Sequence, residues 1–157
     1  MRKRSDFNSE HSFDWPEPEK LRPYFLSSPD TRWFFKTGND SAFLAMEGLS
    51  GTDHLLSGAG RIDVRLEMYG HPELGILLYY LKTGSADKGA FSSKGDLSRL
   101  REWVRTLHND PMPVGLFISY EKAWLAVKEF IETDGALPKS IEWIANKDLP
   151  PGTFPVP

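Results

Sequence analysis

The sequence predicts an α+β domain of two layers, an antiparallel sheet of about five or six strands with one main helix near the C-terminus packed on it. Three observations lead there. The stretch RIDVRLEMY, Arg61 to Tyr69, alternates apolar and charged residues, as a strand with one buried face does. After a GHPE turn, LGILLYYLKTG is a near-continuous apolar run suited to the middle of a sheet, and so short a connection makes the two strands antiparallel. From Ser119 to Glu132, apolar residues recur three and four apart, the spacing of an amphipathic helix.

The elements follow in order. Residues 1–15 are polar and expected to be loosely ordered, residues 16–147 to form a single domain, and residues 148–157 to be a Pro-rich tail that ends the fold without adding to it. Glu17 to Phe25 permits a short helix, whose length Pro23 should limit. TRWFFKTGNDSAFLAME reads as a β-hairpin, two aromatic and apolar runs around Thr37-Gly38-Asn39-Asp40. GLSGTDHLLSGAG is a Gly-rich loop. In the strand that follows, Ile62, Val64, Leu66 and Met68 take the apolar face and Arg61, Asp63, Arg65 and Glu67 the charged one. SADKGAFSSKGD is a polar loop or an irregular strand. LSRLREWVRTLH has helical spacing at Leu97, Leu100, Val104 and Leu107, with Asp96 placed to cap it, and makes a poor strand.

The closing unit is the most explicit. Ser119 can cap the helix by accepting a first-turn amide. Ala123, Trp124, Val127, Phe130 and Ile131 form the apolar stripe, with Glu121, Lys122, Lys128, Glu129 and Glu132 outside. Gly135 suits a left-handed terminator, and Pro138 prevents the helix from resuming. SIEWI is a short strand with Ile141 and Trp143 on one face.

Bulk properties exclude several classes. A chain of 157 residues, 39% hydrophobic and 13% aromatic, can fill one core. The net charge of −3 does not suggest a nucleic-acid or membrane surface. The absence of cysteine removes disulfides and thiolate chemistry and fits a reducing compartment. The basic start lacks the apolar run of an export signal, and GILLYYL is too short to span a bilayer, so a cytoplasmic protein is expected.

Few residues carry a recognisable chemical pattern. His11, His54, His71 and His108 have no metal-ligand spacing. Asp53, His54 and Ser57 share the letters of a hydrolase triad but sit in one loop without a nucleophile elbow. SGAG, Ser57 to Gly60, precedes a strand, the reverse of a phosphate-binding order, and the glycines of KTGSADKGAFSSKGD lie outside any Walker pattern. No catalytic residue, metal or cofactor is expected.

The closing unit resembles a known signature. Ala123, Ala126, Val127, Glu129 and Phe130 on a capped helix, then Gly135, Pro138 and Trp143, are similar to the C-terminal end of immunity protein family 1 of bacterial polymorphic toxin systems. LLYYLKTG and GAFSSKGD resemble the middle of its members, so the likeness runs from about Arg61 to Ile144. The resemblance implies extended structure before the last helix, in place of the helical period of residues 97–108. It implies a cytoplasmic antidote that is not an enzyme. Such a protein binds a cognate toxin domain, a nucleic-acid deaminase or nuclease encoded beside it, and covers its cleft. Trp124, Val127, Phe130, Gly135, Pro138 and Trp143 are then structural. Because a nucleic-acid-processing cleft is basic, the expected contacts are the carboxylates Asp63, Glu67, Asp87 and Asp96, with Phe91 or Trp103 as an apolar anchor. The protein would be a monomer or weak dimer with no direct nucleic-acid or membrane partner. The alternative is a non-enzymatic interaction or scaffold module with a different partner.

Overall fold

The computed structural model describes residues 1–7, 15–28, 32–33, 35 and 39–155. Its elements are β1 (Arg2–Asp6), α1 (Pro18–Leu26), β2 (Ser41–Glu47), β3 (Asp63–His71), β4 (Gly75–Thr83), β5 (Gly89–Ser93), β6 (Trp103–Arg105), β7 (Pro111–Pro113), β8 (Phe117–Ile118), α2 (Tyr120–Glu132) and β9 (Trp143–Ala145). The architecture is α+β, as expected. One antiparallel sheet runs β1-β2-β3-β4-β5-β9, with β8 added to β4, and both helices lie against one of its faces; β6 and β7 form a separate two-stranded ribbon.

The sheet grows from β3 and β4, whose nine-residue ladder runs from Asp63↔Thr83 to His71↔Gly75. Strand alternation sends Val64, Leu66, Met68, Ile76, Leu78 and Tyr80 to the helix face, where all are buried. They meet Ala123, Trp124, Ala126, Val127 and Phe130 of α2. The helix starts where the sequence places it, since Ser119 Oγ accepts the Lys122 amide at 3.2 Å. It stops at Gly135, whose φ of +90° lets its amide reach back to Phe130 O at 2.9 Å. The Tyr80 hydroxyl donates to Gly135 O at 2.7 Å and so locks this stop to the sheet.

The other edge of β4 is shared. β8 pairs with its first residues, Ile76 and Leu77, and β5 with Tyr79 to Lys82. Between them, Ser93 is fully buried; its hydroxyl accepts the Leu78 amide at 2.9 Å and donates to Leu116 O at 2.7 Å. One side chain thus completes the hydrogen bonding where two strands abut.

Two expectations are corrected and two open readings are resolved. Residues 2–6, placed in a loose N-terminus, form β1 along β2, from Arg2↔Glu47 to Asp6↔Phe43, and Phe7 is fully buried; residues 8–14 lie outside the described residues. The hairpin around residues 37–40 does not form as read. β2 has β1 on one edge and β3 on the other, which leaves no edge for a preceding run. Trp33 instead enters the core beside Tyr24 and Phe25, its Nε1 donating to Tyr24 O at 2.8 Å; Thr31, Phe34 and residues 36–38 lie outside the described residues. Residues 97–108 are not one helix. Asp96 caps a single 3-10 turn at Leu97–Arg99, and the chain then extends into β6. GAFSS, left between loop and strand, is the regular strand β5.

Helix α1 runs through Pro23 to Leu26. Proline there removes one intrahelical bond, and burial of Leu21, Tyr24 and Phe25, with Phe25 stacked on Trp124 at 5.6 Å, holds the helix. The structure thus has two helices where the sequence emphasised one.

Ser93→Ala should destabilise the fold by about 2–4 kcal/mol, because it strands a buried N–H and a buried C=O at once; denaturant unfolding measures it. Ser119→Ala should cost only about 1 kcal/mol by the same measurement.

Candidate functional site

The two faces of the sheet differ. On the face away from the helices, β1 to β3 place Arg2, Arg4, Asp6, Phe43, Glu47, Asp63, Arg65 and Glu67 by the alternation of their registers. Beyond Glu67 a second cluster of Leu77, Leu100, Leu116 and Phe117 covers the sheet, with Val104 and Met112 of the β6–β7 ribbon packed on it. The uncovered part is therefore the β1–β3 corner, bordered by the ribbon.

Its charges are fixed in place. Glu47 joins Arg4 at 2.7 Å and Arg61 at 3.5 Å, while Arg61 Nε meets Asp63 at 2.9 Å. Asp63 also accepts the Gly48 amide at 3.0 Å, so it holds a turn as well as an ion pair. Next to this network Arg65 donates to Glu67 at 2.7 Å, with its guanidinium 4.0 Å over the Phe43 ring. Tyr69 donates to the other Glu67 oxygen at 3.3 Å. Burial, with the Glu67 charge beside it, pushes the Tyr69 hydroxyl up to about 12, so it remains a donor at neutral pH. Glu67 and Tyr69 then line a cleft of about 290 Å³ with Leu77, Tyr79, Asn146 and Phe154.

The expected contact residues do not form one set. Asp63 and Glu67 share the uncovered face. Asp87 lies in the β4–β5 turn, paired at 2.9 Å with Lys82, which leaves β4 in phase with Tyr80 on the helix face. Asp96 is spent on its cap, and the Ser98 amide and hydroxyl keep its carboxyl below the usual range. Phe91 faces Tyr80 at 6.3 Å and packs half-buried on the main core, away from the uncovered corner. Trp103 is 41% exposed, and its indole donates to Thr153 O at 2.9 Å. That bond corrects the reading of the tail, because residues 150–153 pack beside Trp103 and Thr153 is buried.

Sequence reading missed Phe43, Tyr79 and Phe154 on this face. The signal for Tyr79 was present, since it sits opposite Glu67 once β3 and β4 are put in register. Phe43 was assigned to a hairpin that does not form, and Phe154 to a tail thought to be free.

The residues of the closing unit have structural partners. Trp143 Nε1 donates to Pro138 O at 2.7 Å, and Glu129, expected to face water, accepts the Lys139 and Ser140 amides at 2.6 and 3.0 Å. These bonds fold the segment after α2 back toward β9.

Asp53 pairs with the Met1 ammonium at 3.1 Å, and the cleft it lines with Met1, Arg2, Glu47 and Arg61 contains neither His54 nor Ser57. Among the described residues no group of three or more metal-ligating side chains gathers, and no helix is long and apolar enough to cross a membrane. His11 lies outside the described residues.

His71 closes β3. Its Nδ1 accepts the amides of Glu73 and Leu74, both at 3.1 Å, which leaves the proton on Nε2. Burial lowers its pKa, so the neutral ring is favoured in the folded state. The folded pKa lies below the unfolded one. The stabilisation is therefore complete above the ordinary histidine range and is lost as pH falls through the folded value. Between pH 7 and pH 5 the wild type should lose more stability than His71→Asn, measured as the difference in Tm between the two pH values. Trp103→Phe should keep an aromatic ring but release the tail, seen as faster amide exchange at Gly152, Thr153 and Phe154.

Compared with known proteins the chain finds no counterpart, since no family model, curated protein or solved structure matches it.

Proposed function

We propose that the chain is a non-catalytic inhibitor of the immunity type, which binds a cognate bacterial toxin and covers its cleft with the uncovered β1–β3 corner of the sheet. The observation that supports this reading is a rigid mixed surface. Glu67, Arg65 and Phe43 are held by one another on strands that are hydrogen-bonded along both edges. Preorganised side chains lose little freedom on association, which is where much binding energy is otherwise lost. Arginine and aromatic residues are also the types that dominate protein interfaces. The resemblance of the closing unit to immunity protein family 1 supplies the class of partner.

The mechanism needs no covalent step. A deaminase or nuclease cleft is basic because it holds phosphates. Glu67, on the rim of the uncovered corner, steers and orients such a cleft, while Phe43 and the Tyr79 cleft receive apolar side chains. An ordinary interface buries about 800 Å² on each partner, so the corner and the adjoining ribbon would be engaged together.

Growth rescue on co-expression with the toxin encoded beside the gene, and a stable stoichiometric complex, test the reading; no complex with that toxin would overturn it. Glu67→Lys should weaken the complex at least about tenfold, because a charge reversal at a close interfacial pair costs more than about 1.4 kcal/mol. Glu132→Lys, on the solvent side of α2, should leave affinity unchanged.

A further inference from the structure

Where β3 ends against the β6–β7 ribbon, a cavity of about 410 Å³ opens between Phe35, Asp40, His71, Arg105, Leu107 and Phe117. It lies beyond the β1–β3 corner, on the side of the ribbon that faces the end of β3. Asp40 is only 6% exposed. Its Oδ2 accepts the Leu107 amide at 2.9 Å, which ties the start of β2 to the ribbon turn, but its Oδ1 is buried without a hydrogen-bond partner. A carboxylate oxygen removed from water with no donor is costly, and such a group in a folded protein calls for one.

We propose that this cavity binds an ammonium or guanidinium group, whose N–H donors complete the partners of Asp40 Oδ1. The other walls fit a cation with a short apolar stem. Phe35 and Phe117 supply aromatic faces, and the Phe117 ring stands edge-on to His71 at 6.2 Å. His71 Nδ1 accepts two backbone amides, which favours the neutral ring and adds no opposing charge. Among the described lining residues Arg105 is the one cationic side chain, and its Nη1 is turned to Asn109 O at 3.0 Å. Leu107, whose amide holds the other Asp40 oxygen, is 41% exposed and lines the same cavity.

Such a group can belong to a free amine or to an arginine side chain of another protein, and titration separates the two. Methylguanidinium, free L-arginine and a blocked Gly-Arg-Gly peptide are titrated into the whole chain by NMR, with N-methylurea as the neutral isostere. Saturable shifts at Asp40, His71 and Leu107 with the cations, and at least about tenfold weaker binding of the urea, are expected from a charge-assisted contact. A peptide that outcompetes free arginine assigns the site to a protein side chain; the reverse order assigns it to a small amine. Asp40→Asn, with its fold checked by circular dichroism, should abolish binding. If that variant does not fold, Arg105→Gln should still raise cation affinity about threefold by removing a nearby like charge. No saturable shift with any cation, equal binding of the urea, or unchanged affinity in Asp40→Asn or in Arg105→Gln overturns the proposal.

Discussion

The fold depends on how β4 keeps its backbone satisfied while it is buried from both sides. Ile76, Leu78 and Tyr80 point into the core under the helices, and Leu77 into the second cluster under the ribbon. Its amides and carbonyls therefore have no water to turn to. One edge is fully used by β3, and the other is divided between two strands that meet end to end. The Ser93 hydroxyl bridges that junction, and a residue of any other size would either leave it open or push β5 and β8 apart. The backbone is equally tight nearby. Gly75 has a φ of +101°, and an added Cβ there would lie 2.0 Å from Ile118 O. β8, β5 and the start of α2 are positioned by this small region.

Local patterns were readable wherever local chemistry decides the outcome. The alternation of β3, the cap at Ser119, the stripe of α2 and the stop at Gly135 are each written within a few residues, and each appears in the structure. What stayed hidden was decided by distant partners. Nothing in RKRSD announces a strand, because its polar alternation becomes a strand only when β2 offers an edge. Leu97 to Leu107 carries a helical period, but Val104 is held in extended form by its pairing with Met112, a contact no helix could make. Asp96 has the cap chemistry that was read from it, applied to one turn only.

The surface residues divide the same way. Asp63 and Glu67 were identifiable as neighbours on one face from their spacing alone. Where Phe91 and Asp87 stand could not be read, because the face of β5, and the side to which its preceding turn leans, are fixed only when β5 pairs with β4. The cavity at Asp40 had no sequence signal at all, since it forms between the start of β2, the end of β3 and a ribbon some 60 residues later. Asp40 was read as a turn residue of a hairpin, and its burial is a product of the topology.

The order in which strands pair also shapes how the chain can reach this state. β1 waits for β2, its partner across α1; β4 waits for Phe117 and Ile118; β5 waits for Trp143 to Ala145. The β3–β4 hairpin, the β6–β7 ribbon and, to a lesser degree, β5 can form from what lies close by. Pairings between distant segments delay folding, because the loops must close before the contacts reward them. During synthesis the apolar start of β4, Gly75 to Leu77, would therefore stand with an open edge until Phe117 and Ile118 have emerged, and for that interval the nascent chain is exposed to edge-to-edge association with its neighbours.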